Sequence, residues 1–461
     1  MDQPRAKTAD ENAGCPLAGG RAVPSPPTPR DNDGGGEGGG DARRGRRALL
    51  AATVGGVVES FDWTLYAVLA PFFAAQVFPG DDPVVQLLGA YLGFAVGFIV
   101  RPLGSYLMGR IADAHGRRFG LTISMAVISA ASVLIAALPT AGAIGAAAPV
   151  LLVALRLVQG LSMGGENPSA AAYVTETAPP ALRFRYSALS YSGVVVGNIL
   201  SFGALTLLLT TLGNNGVAGG GWRIGFLAAA ALGLLALWIR RGAQESAEFT
   251  AHAAHRPTGR ERRTLLRAHA RHLLAVFLIT LGTTVGYYFG TTYLPHYAAQ
   301  LGVASDTASA AAMLLPLLAL IVAMAGAGQL ADRFGALPTL RTGLALLALD
   351  TVPLMTALAH RTLPMWLVTV GYLLLIAAPI GLANVLFARL FPVPVRVVAM
   401  GVPFTLATGL FGGTFPLLAQ ALANAGRLTL VPWWAAGTAA LSLLGTYLIR
   451  PPTSPTRKEH A

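Results

Sequence analysis

Gly109-Arg-Ile-Ala-Asp-Ala-His-Gly-Arg-Arg118 lies between two long apolar segments and places two glycines, an acid and a basic pair within ten residues. A degenerate copy, Gly328-Gln-Leu-Ala-Asp-Arg-Phe-Gly335, again separates two apolar segments. One such turn is weak evidence of anything. Two of them, each after the second apolar segment of its half, indicate a chain built from two related halves. Within the first copy Asp113 follows Gly109 at i+4 and Arg117 follows Asp113 at i+4. Gly109 and Gly116 permit close backbone approach and a tight turn. An acid at that place can meet the positive N-terminus of a helix from the other half. Gly109, Asp113, Gly116, Arg117 and Arg118 are therefore read as a gating loop, with Asp332 and Arg333 as its counterparts.

The surrounding composition sets the class. The chain has 461 residues, of which 54% are hydrophobic and 12% charged, with a mean hydropathy of +0.58. A soluble chain carries about 25% charged residues, and many stretches here approach the roughly 20 apolar residues that cross a bilayer. The expected fold is all-α, a polytopic membrane protein with about twelve transmembrane helices in two six-helix halves. Spans are expected at 48–76, 84–108, 119–138, 149–174, 186–211, 222–241, 271–299, 307–330, 341–359, 363–389, 397–423 and 430–449.

The net charge of +12 does not point to nucleic acid. The arginines sit in short turns, as the positive-inside tendency predicts, and no basic face with interleaved aromatics is present. Arg110, Arg117, Arg118, Arg183, Arg185, Arg333, Arg341, Arg389, Arg396 and the run from Arg240 to Arg271 all fall on one side. Arg361 and Arg427 are the main exceptions. This places both termini inside. Cys15 is the single cysteine, so no disulfide framework is expected.

Residues 1–42, with Pro24, Pro26, Pro27, Pro29 and the glycine-rich run 34–40, are expected to be a disordered cytoplasmic tail. Residues 43–241 form the first half, 242–270 a basic central loop, 271–450 the second half and 451–461 a short tail. The even split suggests duplicated halves with a substrate site between them.

Ionisable residues inside apolar spans are costly and usually functional. Glu59, Asp62, Arg101, Arg156 and Glu166 are the main cases, all in the first half. At 1.5 Å per residue Glu59 lies roughly 16 Å, and Arg101 roughly 12 Å, from the inner ends of their spans. They share a level and can pair. Asp62 and Arg156 fall nearer the outer third and form a second candidate pair. Each pair is open to two readings, a helix-locking ion pair or part of a proton and substrate site. Glu166, in Gly164-Gly-Glu-Asn-Pro168, is either a proton site beside a proline-disturbed helix or an acid at a packing kink. Tyr288 and Asn198 are candidate cavity-lining, substrate-binding residues, and Asn384 is a weaker one. Each can equally bond across helices.

With these residues in view, the chain resembles the major facilitator superfamily and, within it, the metabolite:proton symporters. The resemblance covers about residues 48–450. Its marks are the loop from Gly109 to Arg118 and Arg156-Leu-Val-Gln-Gly160. Closer marks are Glu59-x-Phe-Asp62, Gly97-Phe-x2-Arg101-Pro-x-Gly104, Gln159-Gly-x-Ser-x-Gly-Gly-Glu166, Gly221-Trp-Arg-Ile-x-Phe226 and Arg240-Arg…Glu245-Ser. The resemblance implies Arg101 as the ligand for a substrate carboxylate. It implies Glu59, Asp62, Arg156 and Glu166 in proton coupling, and the 109–118 loop as the gate. Ser60, Asn167 and Pro168 depart from the family pattern, and the second loop has Ala336 and Leu337 in place of a basic pair. The expected activity is proton-coupled symport of a small organic anion, a mono- or dicarboxylate such as alpha-ketoglutarate, across the plasma membrane. A zwitterionic osmolyte such as proline or betaine is the alternative. The expected partners are that substrate, protons and the lipid bilayer. The chain is expected to act as a monomer, with no cofactor, no metal, no nucleic acid and no enzymatic chemistry.

Overall fold

In the computed structural model the described residues are 37–252, 258–303 and 313–449. Among them nine helical segments are long and apolar enough to cross a membrane, ten when the bent pair Pro83–Ile99 and Arg101–His115 counts as one span. One segment, Pro180–Arg241, runs 62 residues, about three bilayer thicknesses. It breaks at Gly213 (φ 65°) and Gly220 (φ 136°) into Arg183–Gly216 and Trp222–Arg241. Left-handed backbone of this kind is open to glycine at little cost. With the 17-residue Leu430–Thr446 the count reaches twelve rods, one for each expected span.

The first half holds span one (Glu37–Val77), span two (Pro83–Ile99 with Arg101–His115) and span three (Arg117–Ala136). Span four (Ala147–Thr177), span five (Arg183–Gly216) and span six (Trp222–Arg241) complete it. The second half holds span seven (Ala270–Tyr288, a π turn, then Leu294–Gln300), span eight (Leu314–Phe334) and span nine (Ala336–Ala359). Span ten (Met365–Ala388), span eleven (Arg396–Ala407, a π turn, then Phe415–Asn424) and span twelve (Leu430–Thr446) follow.

The packing repeats. Span one lies on five and six, two on four, three on four and six. Span seven lies on eleven and twelve, eight on ten, nine on ten and twelve. Between the halves, two meets eleven and five meets eight. These contacts exchange when the halves are exchanged, as an approximate two-fold relation requires.

Three local expectations are corrected. Span two is bent by 43° at Val100, because Pro102 removes a backbone donor and crowds the carbonyl one turn earlier. Span four is one helix from Ala147 to Thr177 with Pro168 inside it. The proline costs Gly164 its carbonyl partner without breaking the rod. Span one begins at Glu37, inside the stretch expected to be disordered. The remainder of that tail, 1–36, and the tail 451–461 lie outside the described residues. The central loop carries two short helices, Ala247–His252 and Gly259–Ala268.

Spans two and four interlock through glycine. A Cβ on Gly104 would lie 2.1 Å from the Leu161 carbonyl oxygen, one on Gly160 2.4 Å from that of Gly97, and one on Gly164 2.2 Å from that of Arg101. Without a hydrophobic drive between helices in lipid, such close contact supplies the association. Gly104→Val is therefore expected to abolish the folded, monodisperse species on size-exclusion chromatography in detergent. An unchanged elution profile and melting temperature would contradict this packing.

Candidate functional site

The two charged turns sit at one end of the molecule and do the same thing. Asp113 Oδ1 accepts from the Val397 N–H (3.2 Å) and Oδ2 from that of Val398 (3.1 Å), at the start of span eleven. Asp332 Oδ1 accepts from the Phe184 N–H (2.9 Å) and Oδ2 from that of Arg185 (3.1 Å), at the start of span five. Each acid caps the positive end of a helix from the opposite half.

The glycines explain the spacing. A Cβ on Gly109 would press on Val398 at 3.0 Å, and one on Gly328 would lie 2.7 Å from the Cα of Arg185. The helices approach closely enough for the acid one turn later to reach the amides. Gly116 (φ 111°) and Gly335 (φ 96°) then end spans two and eight in left-handed backbone, where a side chain would be strained.

The first turn is reinforced and the second is bare. Arg117, fully buried, bonds Asp113 Oδ1 (2.8 Å), the Ala112 carbonyl (2.9 Å), Glu176 Oε1 (3.1 Å) and, across the halves, the Val393 carbonyl (2.7 Å). Glu176 Oε1 also takes Arg396 of span eleven (2.7 Å), which reaches Glu248 (3.0 Å) with its other nitrogen. Glu245 caps the backbone of Arg117 (3.0 Å) and Arg118 (3.1 Å). Arg118 is exposed, and among the described residues its side chain bonds only the Arg241 carbonyl (3.2 Å). Arg333 is exposed against Phe334 and shares no contact with Asp332 among the described residues.

Deeper in the first half, three ion pairs sit in the bundle. Arg101 Nη1 faces Glu59 Oε1 at 3.9 Å, too long for a hydrogen bond. Its guanidinium rests on Trp63 (4.2 Å) and Phe98 (4.5 Å), and its Nε has no partner among the described residues. Side-chain exposure is 12% for Arg101 and 15% for Glu59. Asp62 and Arg156 pair at 3.3 Å with no exposure at all. Ser132 (2.5 Å) and Gln159 (3.1 Å) also donate to Asp62, and Tyr66 stacks under Arg156 at 3.7 Å. Both pairings are among those the sequence raised as candidates.

Glu166 is bound by Arg240 of span six, whose other donors go to the carbonyls of Leu121 (2.5 Å) and Ala51 (3.2 Å). Arg240 carries no signal for this in the sequence beyond topology, being one of a basic run at the end of an apolar span. Glu176 and Arg396 were likewise unmarked as partners.

Asn198 is spent between helices. Its Oδ1 accepts from Ser60 and from Thr64 (2.8 Å), and its Nδ2 donates to Tyr287 of span seven (2.8 Å). Tyr288 points its ring edge at Phe98, with centroids 6.5 Å apart. Asn384, the weaker candidate, lines a cavity between the halves together with Glu59, Asn167, Ser190, Tyr191 and Glu166.

The sequence profile of the Major Facilitator Superfamily matches residues 52–406. The chain belongs to the Major Facilitator Superfamily. Alpha-ketoglutarate permease of Escherichia coli (strain K12) is 30% identical over 413 residues, 89% of this chain and 94% of that one. A proline/betaine transporter of Salmonella typhimurium is 32% identical over 316 residues, 66% of this chain and 63% of that one. The structure of the proton:xylose symporter XylE superposes with a TM-score of 0.73 at 18% identity, covering 88% of this chain and 96% of that one. As a superfamily member the chain is a multi-pass membrane transporter and not an enzyme.

In this superfamily member the capping acids are separable by location. Asp113→Ala should speed amide exchange at Val397 and Val398, and Asp332→Ala at Phe184 and Arg185, roughly tenfold or more in each case. Hydrogen exchange read by mass spectrometry checks this. Equal protection in both variants would show that the carboxylates do not hold that end shut.

Proposed function

We propose that this transporter couples the uptake of a small organic anion, a mono- or dicarboxylate such as alpha-ketoglutarate, to protons by alternating access. The membrane is the plasma membrane, the charged end and both termini face the cytoplasm, and one chain suffices. The observation that carries this reading is the Glu59–Arg101 pair. Of the three ion pairs described in the bundle it is the most exposed, 12% and 15% against 2% and 1% for Arg240–Glu166, and Glu59 lines the cavity between the halves.

The chemistry follows from that geometry. At about 4 Å and an effective dielectric near 20, two unit charges attract by about 4 kcal/mol. A proton on Glu59 removes that attraction. A substrate carboxylate then takes over the same guanidinium, whose forked donors suit it. One carboxylate replaces another, so proton and anion are best accommodated together. Asp62 and Arg156 are fully buried, and Glu166, though it lines the cavity, is 1% exposed and held by Arg240. In this scheme they receive a proton only after the helices shift. The resemblance to alpha-ketoglutarate permease over most of both chains supports an anion as cargo.

A zwitterion such as betaine also offers a carboxylate to Arg101, and the similarity to a proline/betaine transporter favours testing it. A quaternary ammonium needs open aromatic faces. Those of Trp63 and Phe98 are already covered by Arg101.

The test is uptake of labelled alpha-ketoglutarate and of a labelled monocarboxylate into proteoliposomes under an inward proton gradient, with unlabelled betaine as competitor. Accumulation of either acid that a protonophore collapses supports symport. Arg101→Ala should lower it at least roughly tenfold with normal insertion, since the carboxylate loses its cation. Glu59→Gln, a fixed mimic of the protonated acid, should keep exchange across the membrane yet lose gradient-driven accumulation. Full activity in Arg101→Ala would reject the scheme, and betaine displacing both acids would replace the anion with a zwitterion.

A further inference from the structure

The charged end of the molecule is built twice, and one charge in the second copy is reversed. Arg183 and Arg396 each begin a helix directly after a 3-10 turn, Pro180–Leu182 in one half and Val393–Val395 in the other. In both, the amides of the next two residues take the capping acid. Glu176 stands seven residues before Arg183, and Arg389 seven before Arg396. The second copy therefore has Arg389 at the place of Glu176, the acid that joins Arg117 to Arg396 in the first. Ala336 follows Gly335 as Arg117 follows Gly116, so the place of Arg117 carries no charge.

The first set balances, with Arg117 and Arg396 against Asp113 and Glu176. The second sets Arg183, Arg185 and Arg389 against Asp332. None of these three arginines makes a side-chain hydrogen bond or ion pair among the described residues. The Nε atoms of Arg183 and Arg185 are shut off from solvent. Arg389 is exposed and lies over the Phe184 ring, across the halves, at 5.7 Å. Of the charges acting on Arg183, Arg389 comes first and repels it, Glu248 attracts it and Arg396 repels it. Glu248 is already held by Arg396 at 3.0 Å.

A donor closed off from water without an acceptor is costly, and so are like charges side by side. An anion between them relieves both. Forked guanidinium donors suit the oxygens of a phosphate group. Exposed Leu330 and Phe334 on span eight border the site, so a lipid phosphate can reach it as well as a dissolved one.

We propose that Arg183, Arg185 and Arg389 bind a phosphate group, which gives the second charged turn the bridging anion that Glu176 gives the first. Arg183 and Arg185 belong to the first half and Arg389 to the second. The bound phosphate therefore ties the halves together and favours the state in which this end is shut. The site lies apart from the cavity beside Glu59 and stands whatever the cargo.

The test is amide exchange at Phe184 and Arg185, read by mass spectrometry on the full chain in nanodiscs of phosphatidylcholine, whose phosphate is neutralised by its choline. Two additions separate the sources: phosphatidylglycerol in the disc, and inorganic phosphate in solution against chloride at equal ionic strength. At least one should slow exchange at these amides roughly tenfold. Slowing by phosphatidylglycerol alone identifies a lipid headgroup, and slowing by inorganic phosphate a dissolved anion. Arg183→Gln and Arg389→Gln should each abolish the response, and either serves if the other does not fold. Arg389→Glu restores an acid at the place where the first copy has one. It should slow exchange with no addition and make it indifferent to both. No response to either addition in the wild type, or a response retained in both glutamine variants, would overturn the site.

Discussion

A carboxylate seated on the bare N-terminus of a helix from the other half is the interaction on which this arrangement depends. Asp113 on Val397 and Val398, and Asp332 on Phe184 and Arg185, join the halves at one end, beside apolar contacts such as those of Ala112 and Ala172 with Val397. The bond is strong because the orphan amides of the first turn and the helix dipole act on the same anion. It is also all-or-none. Moving a helix by a few ångströms loses both hydrogen bonds together, which suits a contact that forms in one state and parts in another. The two glycines in each turn serve this contact. One brings the helices together and the other ends the rod in a backbone conformation that turns the chain into the next span.

The halves share this device but not their charges. Arg117, Glu176 and Arg396 stiffen the first turn, whereas among the described residues the second has Asp332 alone. The intramembrane pairs Glu59–Arg101, Asp62–Arg156 and Glu166–Arg240 are all within the first half. Buried pairs of this kind contribute little net stability but cost several kcal/mol when one member is removed. They therefore fix how spans one, two, four and six sit against one another. The second half contributes Asn384 and Val385 to the cavity wall.

The pairing of Glu59 with Arg101 and of Asp62 with Arg156 could be raised from spacing alone, because opposite charges buried in neighbouring spans seek each other, whereas the 43° bend at Val100 beside Arg101 could not. The Gly-x3-Asp-x2-Gly turn could be read as a gate for a similar reason: its logic is local. What the sequence hid was long-range. Glu176 and Arg396 are 220 residues apart, and each alone resembles a charge marking the end of a span. Arg240 looked like one more topological arginine until the helix packing placed it over Glu166. The two asparagines exchanged expected places. Asn198 met hydroxyls at Ser60, Thr64 and Tyr287, whereas Asn384 found none. Which polar side chain stays free inside a bundle depends on what faces it, and no periodicity along a single chain reports that.

Span four then emerges as the element that links these features. Arg156, Gln159, Glu166, Asn167 and Glu176 all lie on it, and it is continuous through Pro168. From Glu166 to Glu176 the rise is about 15 Å, which carries the helix from the cavity to the reinforced turn. A rigid rod passes on a tilt or a slide along its length with little loss. A change in the charge at the cavity shifts what span four is held by, and at its far end Glu176 holds both Arg117 of its own half and Arg396 of the other. The cavity between the halves and the charged turn need no chain of small adjustments between them, because the same helix is a wall of one and a bolt of the other.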